Sequence, residues 1–345
     1  MGLLPDLIIP LPIFYAIVII YIAFAFLKFM LKRHNERYFE ERKVEHDKQR
    51  AVKSGNSVDR PMISCSSPDC VRCNTYSQLL VHAQGKLEHI ADSEDTMRIK
   101  SAVADHLQNE NSAIAIANDP LGLEQKPNVL FVKGLKASPY WADHSALNPD
   151  VELLEDNFAI IFDELEKCLR LPETNSLWTY NSTPSGAWDV FHLYNQGLKI
   201  DSTCAFFPKT CEIVEGLPSF IRDCAFGNAS FSVIHRNTII EEHYGPCNVR
   251  IRCHLGLQIP ENTYNQRCIL TVAHKVRRWQ NGKCLVFDDS FLHKAEYASR
   301  DPEADPRIVF MVDFWHPDLT AEEKTLLSEL FNVSQVMVDS QVNEQ

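Results

Sequence analysis

Between residues 187 and 315 the chain breaks into short apolar or alternating runs separated by turn residues, and no other feature restricts the possible folds as much. The runs are "AWDVFHLY" (187–194), "ASFSVIH" (229–235), "TIIEEH" (238–243), "NVRIRCHLGL" (248–257), "RCILTVA" (267–273), "GKCLVFDDS" (282–290) and "RIVFMVDFW" (307–315). Short strands at such close spacing predict an antiparallel sandwich of the jelly-roll type, mainly β with flanking helices.

Helical spacing brackets this series. Asn148 as cap with Pro149 in the first turn predicts a helix on which Val151, Leu154, Phe158, Ile161 and Leu165 share one face. Near the other end, Thr320 and Glu323 form the pattern of a capping box, with Leu326, Leu327 and Leu330 on one side of the helix it opens.

Within residues 248–257, Arg250, Arg252 and His254 alternate with Val249, Ile251, Cys253, Leu255 and Leu257. A strand of this kind packs its apolar face on one layer and turns its cationic face toward an anion, a metal or water. Nucleic acid is excluded as the partner: the net charge is -12, with 34 Lys and Arg against 46 Asp and Glu, and the folded part holds no basic window.

Ahead of the strands stands an uncharged run, residues 7–27. At about 1.5 Å per residue it is long enough to cross a hydrocarbon core of about 30 Å. It leads into Lys28, Lys32 and Arg33 with no small-residue cleavage site, which favours a retained anchor over a cleaved signal peptide. The expected organisation is a tail (1–6), a transmembrane helix in membrane lipid (7–30), a charged stalk (31–62), a cysteine-containing, partly helical linker region (63–126), the β domain (127–331) and a flexible tail (332–345). Taken alone, the basic residues after the helix place the domain in the cytosol. Cysteines and glycosylation sequons argue the opposite, a single-pass type II glycoprotein of the endoplasmic reticulum with a lumenal domain. Cys204 and Cys211 are spaced to close a short disulfide loop, and Asn181, Asn228 and Asn332 are acceptor positions. For Cys65, Cys70 and Cys73 a disulfide with one free thiol is the simpler reading, since zinc needs a fourth ligand for which His82 and His89 are only nominal candidates.

His243 and His293 each stand at a strand end, where a jelly roll gathers its strands at the mouth. Imidazole suits iron, and non-haem iron sites usually add a carboxylate, often two positions after the first histidine. That position is Gly245, so either water takes the third place or the metal has been lost. Arg307, fourteen residues after His293, opens a strand and offers a planar fork to a terminal carboxylate. Arg252 and His254, roughly 7 Å apart along one strand face, suit the other end of a small dicarboxylate. The arginines equally suit cross-sheet pairing with Glu241, Glu242 or Asp288, and Asp288 with Asp289 suits a turn.

Taken together, "SGAWDVFHLYNQG", "FSVIHRNTIIEEHYGPCNVRIRCHLGL", "GKCLVFDDSFLHKA" and "RIVFMVDFWHP" resemble the catalytic domain of the aspartyl/asparaginyl β-hydroxylases, across about residues 127–330. The anchor, "SPDCVRC" and "HYGP" are most similar to the branch of aspartate β-hydroxylase domain-containing members. The resemblance implies a cupin-like double-stranded β-helix that uses iron(II), 2-oxoglutarate and O2 to hydroxylate the β-carbon of Asp or Asn in protein substrates such as EGF-like modules. It implies two histidines alone on the metal, in agreement with Gly245. By matching positions, His243 and His293 are the catalytic metal ligands. Arg307 and Ser232 hold the distal carboxylate of 2-oxoglutarate; Arg252, Cys253 and His254 hold its metal-proximal end; and Trp188 walls the pocket. Arg250, on the same strand face, is the candidate for the substrate's own carboxylate. The Cys204 and Cys211 pair matches a family position, which favours the disulfide and the lumenal domain. Departures from the family are the turn at His235 to Thr238, a longer loop between His293 and Arg307, and Tyr244 beside the metal position, able to change which substrate enters. Two other expectations stand beside this one: a catalytically silent anchored scaffold that keeps the fold, and an oxygenase acting on a lipid or small molecule near the bilayer.

Overall fold

The alternation read in residues 248–257 is realised as a strand with two unlike faces. In the computed structural model, which describes residues 71–87, 96–108, 124–141, 145–181, 185–261 and 266–334 with single positions at Ile19, Ile90 and Thr183, eleven strands form two antiparallel sheets. They are β1 (Thr179–Asn181), β2 (Trp188–Asn195), β3 (Leu198–Lys199), β4 (Ala229–Ile234), β5 (Thr238–His243), β6 (Arg250–Gln258), β7 (Gln266–Val272), β8 (Lys275–Arg277), β9 (Cys284–Phe287), β10 (His293–Ser299) and β11 (Arg307–Trp315). One sheet runs β1-β2-β4-β11-β6-β9 with β3 on β2, and the other runs β5-β10-β7-β8. From β4 to β7, and again from β9 to β11, successive strands alternate between the sheets, which is the winding of a jelly roll.

Strand β11 is buried at all nine positions because both its faces and both its edges are covered. Its residues Ile308, Phe310, Val312 and Phe314, with Ile251, Cys253, Leu255 and Leu257 of β6, face a helical layer. That layer contains α3 (Asn148–Asp156), α4 (Phe158–Cys168), the short α5 (Asp201–Cys204) and α6 (Pro208–Gly216), which contribute Leu154, Ile161, Leu165 and Val214 to the shared core. Two earlier helices, α1 (Val71–Leu87) and α2 (Met97–Gln108), pack with α7 (Ala321–Leu330) through Leu79, Ile99, Val103, Leu326 and Leu327. Residues in the stretch expected as a linker region are thereby part of the packed body. Between the two sheets, Ile234, Leu270, Val272, Phe287, Phe291, Tyr297 and Val309 fill the interior beside the site.

Several local expectations need correction. The helix expected from Asn148 is two helices, because Asn157 takes φ -97° and ψ 11° and its Nδ2 donates to the Leu153 carbonyl at 2.8 Å. Leu147, not Asn148, occupies the cap position. Strand β10, "HKAEYAS", was not legible because it lacks β-branched residues; hydrogen-bonded neighbours on both edges, β5 and β7, hold it extended. Asn228 cannot carry a glycan in this fold, since it is buried and its Nδ2 donates to Asp313 at 2.8 Å. The structure brings the expected pair Cys204 and Cys211 together, with sulfurs 2.7 Å apart. Apart from Ile19, the uncharged run 7–27 lies outside the described residues, as do the stalk, Cys65, Cys70, His89 and residues 335–345. Among the described residues, no helix is long and apolar enough to cross a membrane.

The capping box forms as expected: Thr320 Oγ1 accepts from the Glu323 amide, and Glu323 accepts from the Thr320 amide. Glu323 also receives Arg98 of α2 at 2.8 and 2.6 Å, so a single buried carboxylate both caps α7 and ties an earlier helix to it. Glu323→Ala is expected to lower stability in urea by about 2 kcal/mol, from loss of the cap and of a two-pronged charged pair. Thr320→Ala, which removes the cap alone, should lose about half of that.

Candidate active site

Antiparallel pairing sets His243, the last residue of β5, opposite His293, the first of β10. Their ring centroids are 4.1 Å apart. The Nδ1 of His243 bonds the Glu241 carbonyl at 2.7 Å, and the Nδ1 of His293 bonds the Phe291 carbonyl at 3.0 Å. A carbonyl only accepts, so each Nδ1 carries a hydrogen, and in the neutral ring Nε2 keeps the lone pair with which imidazole binds a metal. Burial, and then the charge of His243, push His293 down to about 3, which keeps it neutral.

The position two residues after His243 has no room for a side chain. A Cβ on Gly245 would stand 2.5 to 2.7 Å from the carboxyl atoms of Asp289, and the Gly245 amide donates to the Asp289 carbonyl at 2.6 Å. Among the described residues, no group of three or more His, Cys, Asp or Glu is placed to hold a metal. The imidazole pair is the set of ligands that these two strand ends could offer a metal.

Three arginines face the interior, and the structure separates them by what neutralises them. Arg250 bonds Asp289 through Nε at 3.2 Å and through Nη2, lies 3.6 Å from Asp313, and donates to the Phe226 carbonyl. Arg252 bonds Asp313 at 2.7 and 3.0 Å and approaches Asp289 at 3.4 Å. Burial favours the neutral acid at Asp289, but these two guanidiniums outweigh it and hold the group well below the usual carboxylate range. Arg250 is thus committed to acids of its own chain, in place of the expected substrate carboxylate, and its partners are Asp289 and Asp313 instead of Glu241, Glu242 or Asp288. Arg252 lies on the cavity side but is likewise paired. The Cys253 side chain points into the helix-side core, so only its backbone can address the cavity.

Arg307 is different. It is 1% exposed and donates from Nη1 to the Ser232 carbonyl at 3.3 Å, while its Nε has no partner among the described residues. No carboxylate of those residues pairs with it, and burial draws its ionisation down to about 10. A buried cation without a counter-ion is unfavourable by several kcal/mol, so the position suits an anion supplied from outside the chain. Ser232 Oγ, one strand away, accepts from Trp188 Nε1 at 3.1 Å, which places Trp188 at the side of the same cavity. His254 is also buried, and its Nε2 has no partner among the described residues. Two buried nitrogens without a partner among the described residues, Arg307 Nε and His254 Nε2, thus belong to side chains that share Trp279 as neighbour, a donor set that fits a dicarboxylate.

Sequence reasoning missed Trp279, Asp313 and the second role of Asp289. Trp279 stacks on the Arg307 guanidinium at 4.7 Å and donates to His254 Nδ1 at 3.2 Å. It comes from a turn segment with no periodicity to mark it. Asp288 adopts the turn role expected of it, accepting from the Ser290 amide and hydroxyl and from Gln125.

Residues 155–317 match the family described as Aspartyl/Asparaginyl beta-hydroxylase. Aspartate beta-hydroxylase domain-containing protein 2 of Xenopus tropicalis is 41% identical over 273 residues, which is 77% of this chain and 70% of the relative. The human protein of that name is 38% identical over 282 residues, 80% of this chain and 72% of the relative. The chain belongs to the aspartyl/asparaginyl β-hydroxylase family. Human aspartyl/asparaginyl beta-hydroxylase itself is 36% identical over 203 residues, 57% of this chain but 25% of the longer relative. Within the matched segment of this β-hydroxylase family member lie Trp188, Ser232, His243, Arg252, His254, His293 and Arg307.

Gly245→Ala forces a methyl group against the Asp289 carboxylate and is expected to lower stability by about 2–4 kcal/mol in urea unfolding. A second outcome concerns pH. Burial raises Asp288 from 3.8 to about 7 in the folded state. Between those values the folded protein binds a proton that the unfolded chain releases, so this group's contribution is lost as pH rises from 3.8 through 7. Asp288→Asn cannot ionise, so its melting temperature relative to the parent should be higher at pH 8 than at pH 5; a difference independent of pH would count against the raised ionisation.

Proposed function

We propose that this chain is an iron(II)- and 2-oxoglutarate-dependent dioxygenase that hydroxylates the β-carbon of Asp or Asn in a protein substrate. The observation that carries this reading is Arg307, a buried guanidinium with no carboxylate partner among the described residues, joined through Trp279, His254 and Phe287 to a histidine pair whose Nδ1 atoms are committed to carbonyls. When bound, iron(II) supplies the activation of O2 that couples oxidation of 2-oxoglutarate to succinate and CO2 with insertion of one oxygen atom into a C–H bond.

The chain's own residues bind, orient and exclude. His243 and His293 would hold the metal from one side and leave its other positions for co-substrate and oxygen. Arg307, with Ser232 beside it, would fork onto the far carboxylate of 2-oxoglutarate, and His254 would donate from Nε2 toward the near end. Arg252 stands alongside with its charge already balanced, so it adds donors without adding net charge. Phe287, edge-on to His254 at 4.9 Å and 5.9 Å from the His293 ring, would exclude water between the two ends. A dry cavity strengthens every polar contact made in it. We further place this domain in the lumen of the endoplasmic reticulum behind the uncharged run 7–27, a reading supported by the length of that run and by the sequon at Asn332.

The test is iron-dependent conversion of 2-oxoglutarate to succinate by the purified full chain, with candidate protein substrates. His243→Ala and His293→Ala should each reduce turnover by about 100-fold or more. Arg307→Ala should raise the KM for 2-oxoglutarate at least about tenfold while iron affinity stays the same. Absence of iron-dependent 2-oxoglutarate binding in calorimetry would overturn the enzyme reading in favour of a scaffold.

A further inference from the structure

We propose that Trp279 is a positioning residue that locks His254 in the tautomer bearing hydrogen on Nε2, and so presents a fixed donor to the metal-proximal end of the co-substrate. The inference rests on the function proposed above and adds a residue to it.

Indole nitrogen donates and never accepts. Trp279 Nε1 lies 3.2 Å from His254 Nδ1, in a contact where both residues are buried. The imidazole nitrogen facing it must then carry a lone pair, which excludes the Nδ1–H tautomer and the doubly protonated ring alike. What remains is neutral imidazole with hydrogen on Nε2. That nitrogen is buried and has no acceptor among the described residues. Burial, and then the guanidiniums of Arg307 and Arg252, also disfavour the imidazolium form. An N–H held in the interior without an acceptor is unfavourable until a ligand supplies one.

Trp279 reaches this place through backbone packing two residues along β6. A Cβ on Gly256 would meet the Gln280 carbonyl at 2.1 Å, so glycine there lets the turn after Trp279 lie directly on the strand. The turn is tied down by Gly256 N to Lys283 O at 3.0 Å, Gly282 N to Gly256 O at 2.8 Å and Ile259 N to Asn281 Oδ1 at 2.8 Å. The same indole lies under the Arg307 guanidinium at 4.7 Å, which holds that cation by its π face without using its hydrogen-bond donors. One side chain therefore aims donors at both ends of the expected dicarboxylate.

The experiment uses the detergent-solubilised full chain: 15N-labelled histidine reports the tautomer in the metal-free protein, and binding is read separately with Mn(II) in place of iron(II) and 2-oxoglutarate as the probe. Trp279→Phe keeps a ring beneath Arg307 and removes only the N–H. Expected results are a His254 nitrogen spectrum of the Nε2–H form in the parent, a mixture of tautomers in Trp279→Phe, an affinity for 2-oxoglutarate lower by roughly tenfold, and unchanged Mn(II) affinity. Trp279→Leu, which also removes the ring from Arg307, should weaken 2-oxoglutarate further. In the His254→Ala background the Trp279→Phe effect should vanish, because a purely structural tryptophan would give additive losses whereas a positioning one acts through His254. The proposal is overturned if Trp279→Phe retains the parent's tautomer or its 2-oxoglutarate affinity. A parent protein that shows the Nε2–H tautomer and binds Mn(II), yet does not bind 2-oxoglutarate, overturns instead the function reading on which the donor's role rests.

Discussion

The register that sets His243 of β5 opposite His293 of β10 is the constraint on which the rest of this structure depends. Side chains change face at every residue of a strand, so a slip of one position would turn one imidazole to the outside of the four-stranded sheet. The far end of β5 is pinned against this. Thr238 Oγ1 accepts from the Ala187 amide at 2.9 Å and donates to the Ala187 carbonyl at 3.1 Å. Gly186 makes that approach possible, at φ 73°, where a Cβ would collide with Thr238 at 2.0 Å. At the near end an irregularity between His293 and Ala295 re-aims the first residue of β10, as bulges next to functional sites commonly do.

Charge compensation decides what the cavity beside that pair is able to bind. Arg250 and Arg252 occupy the inner face of β6; Asp289 reaches them from the turn after β9 and Asp313 from β11. Taking ions from water is unfavourable by several kcal/mol each, so these four groups persist in the interior only as a mutually satisfied network. Asp289 has a second effect, since its carboxyl fills the space in front of Gly245 and so bars a third protein ligand from the histidine side. The same acid therefore helps to neutralise both arginines and fills the place of a side chain two residues after His243. Arg307 is left as the uncompensated cation, supported by the face of Trp279, which cannot neutralise it.

Much of the framework could be read residue by residue. Thr320 with Glu323 marked a helix start that the structure reproduces, and the runs at 238–243 and 307–315 are strands with those bounds. The faces of β6 could be read as well, since Ile251, Cys253, Leu255 and Leu257 do turn away from Arg250, Arg252 and His254. Other features were hidden. The break at Asn157 depends on one side-chain bond to Leu153, and β10 is extended because of its neighbours and not because of its composition. Trp279 is prominent only because a turn settles on Gly256.

By itself the sequence determined periodicity, helix caps and the residue types available for chemistry, because these depend on neighbours within a few positions along the chain. Tertiary structure alone decided which of three arginines stays uncompensated, which histidine nitrogen points into the cavity, and that Asn228 is sealed under Asp313. Those outcomes depend on distances of a few ångströms between segments 25 to 85 positions apart, and the free energy of a buried charge or donor is set by that distance and not by its place in the sequence.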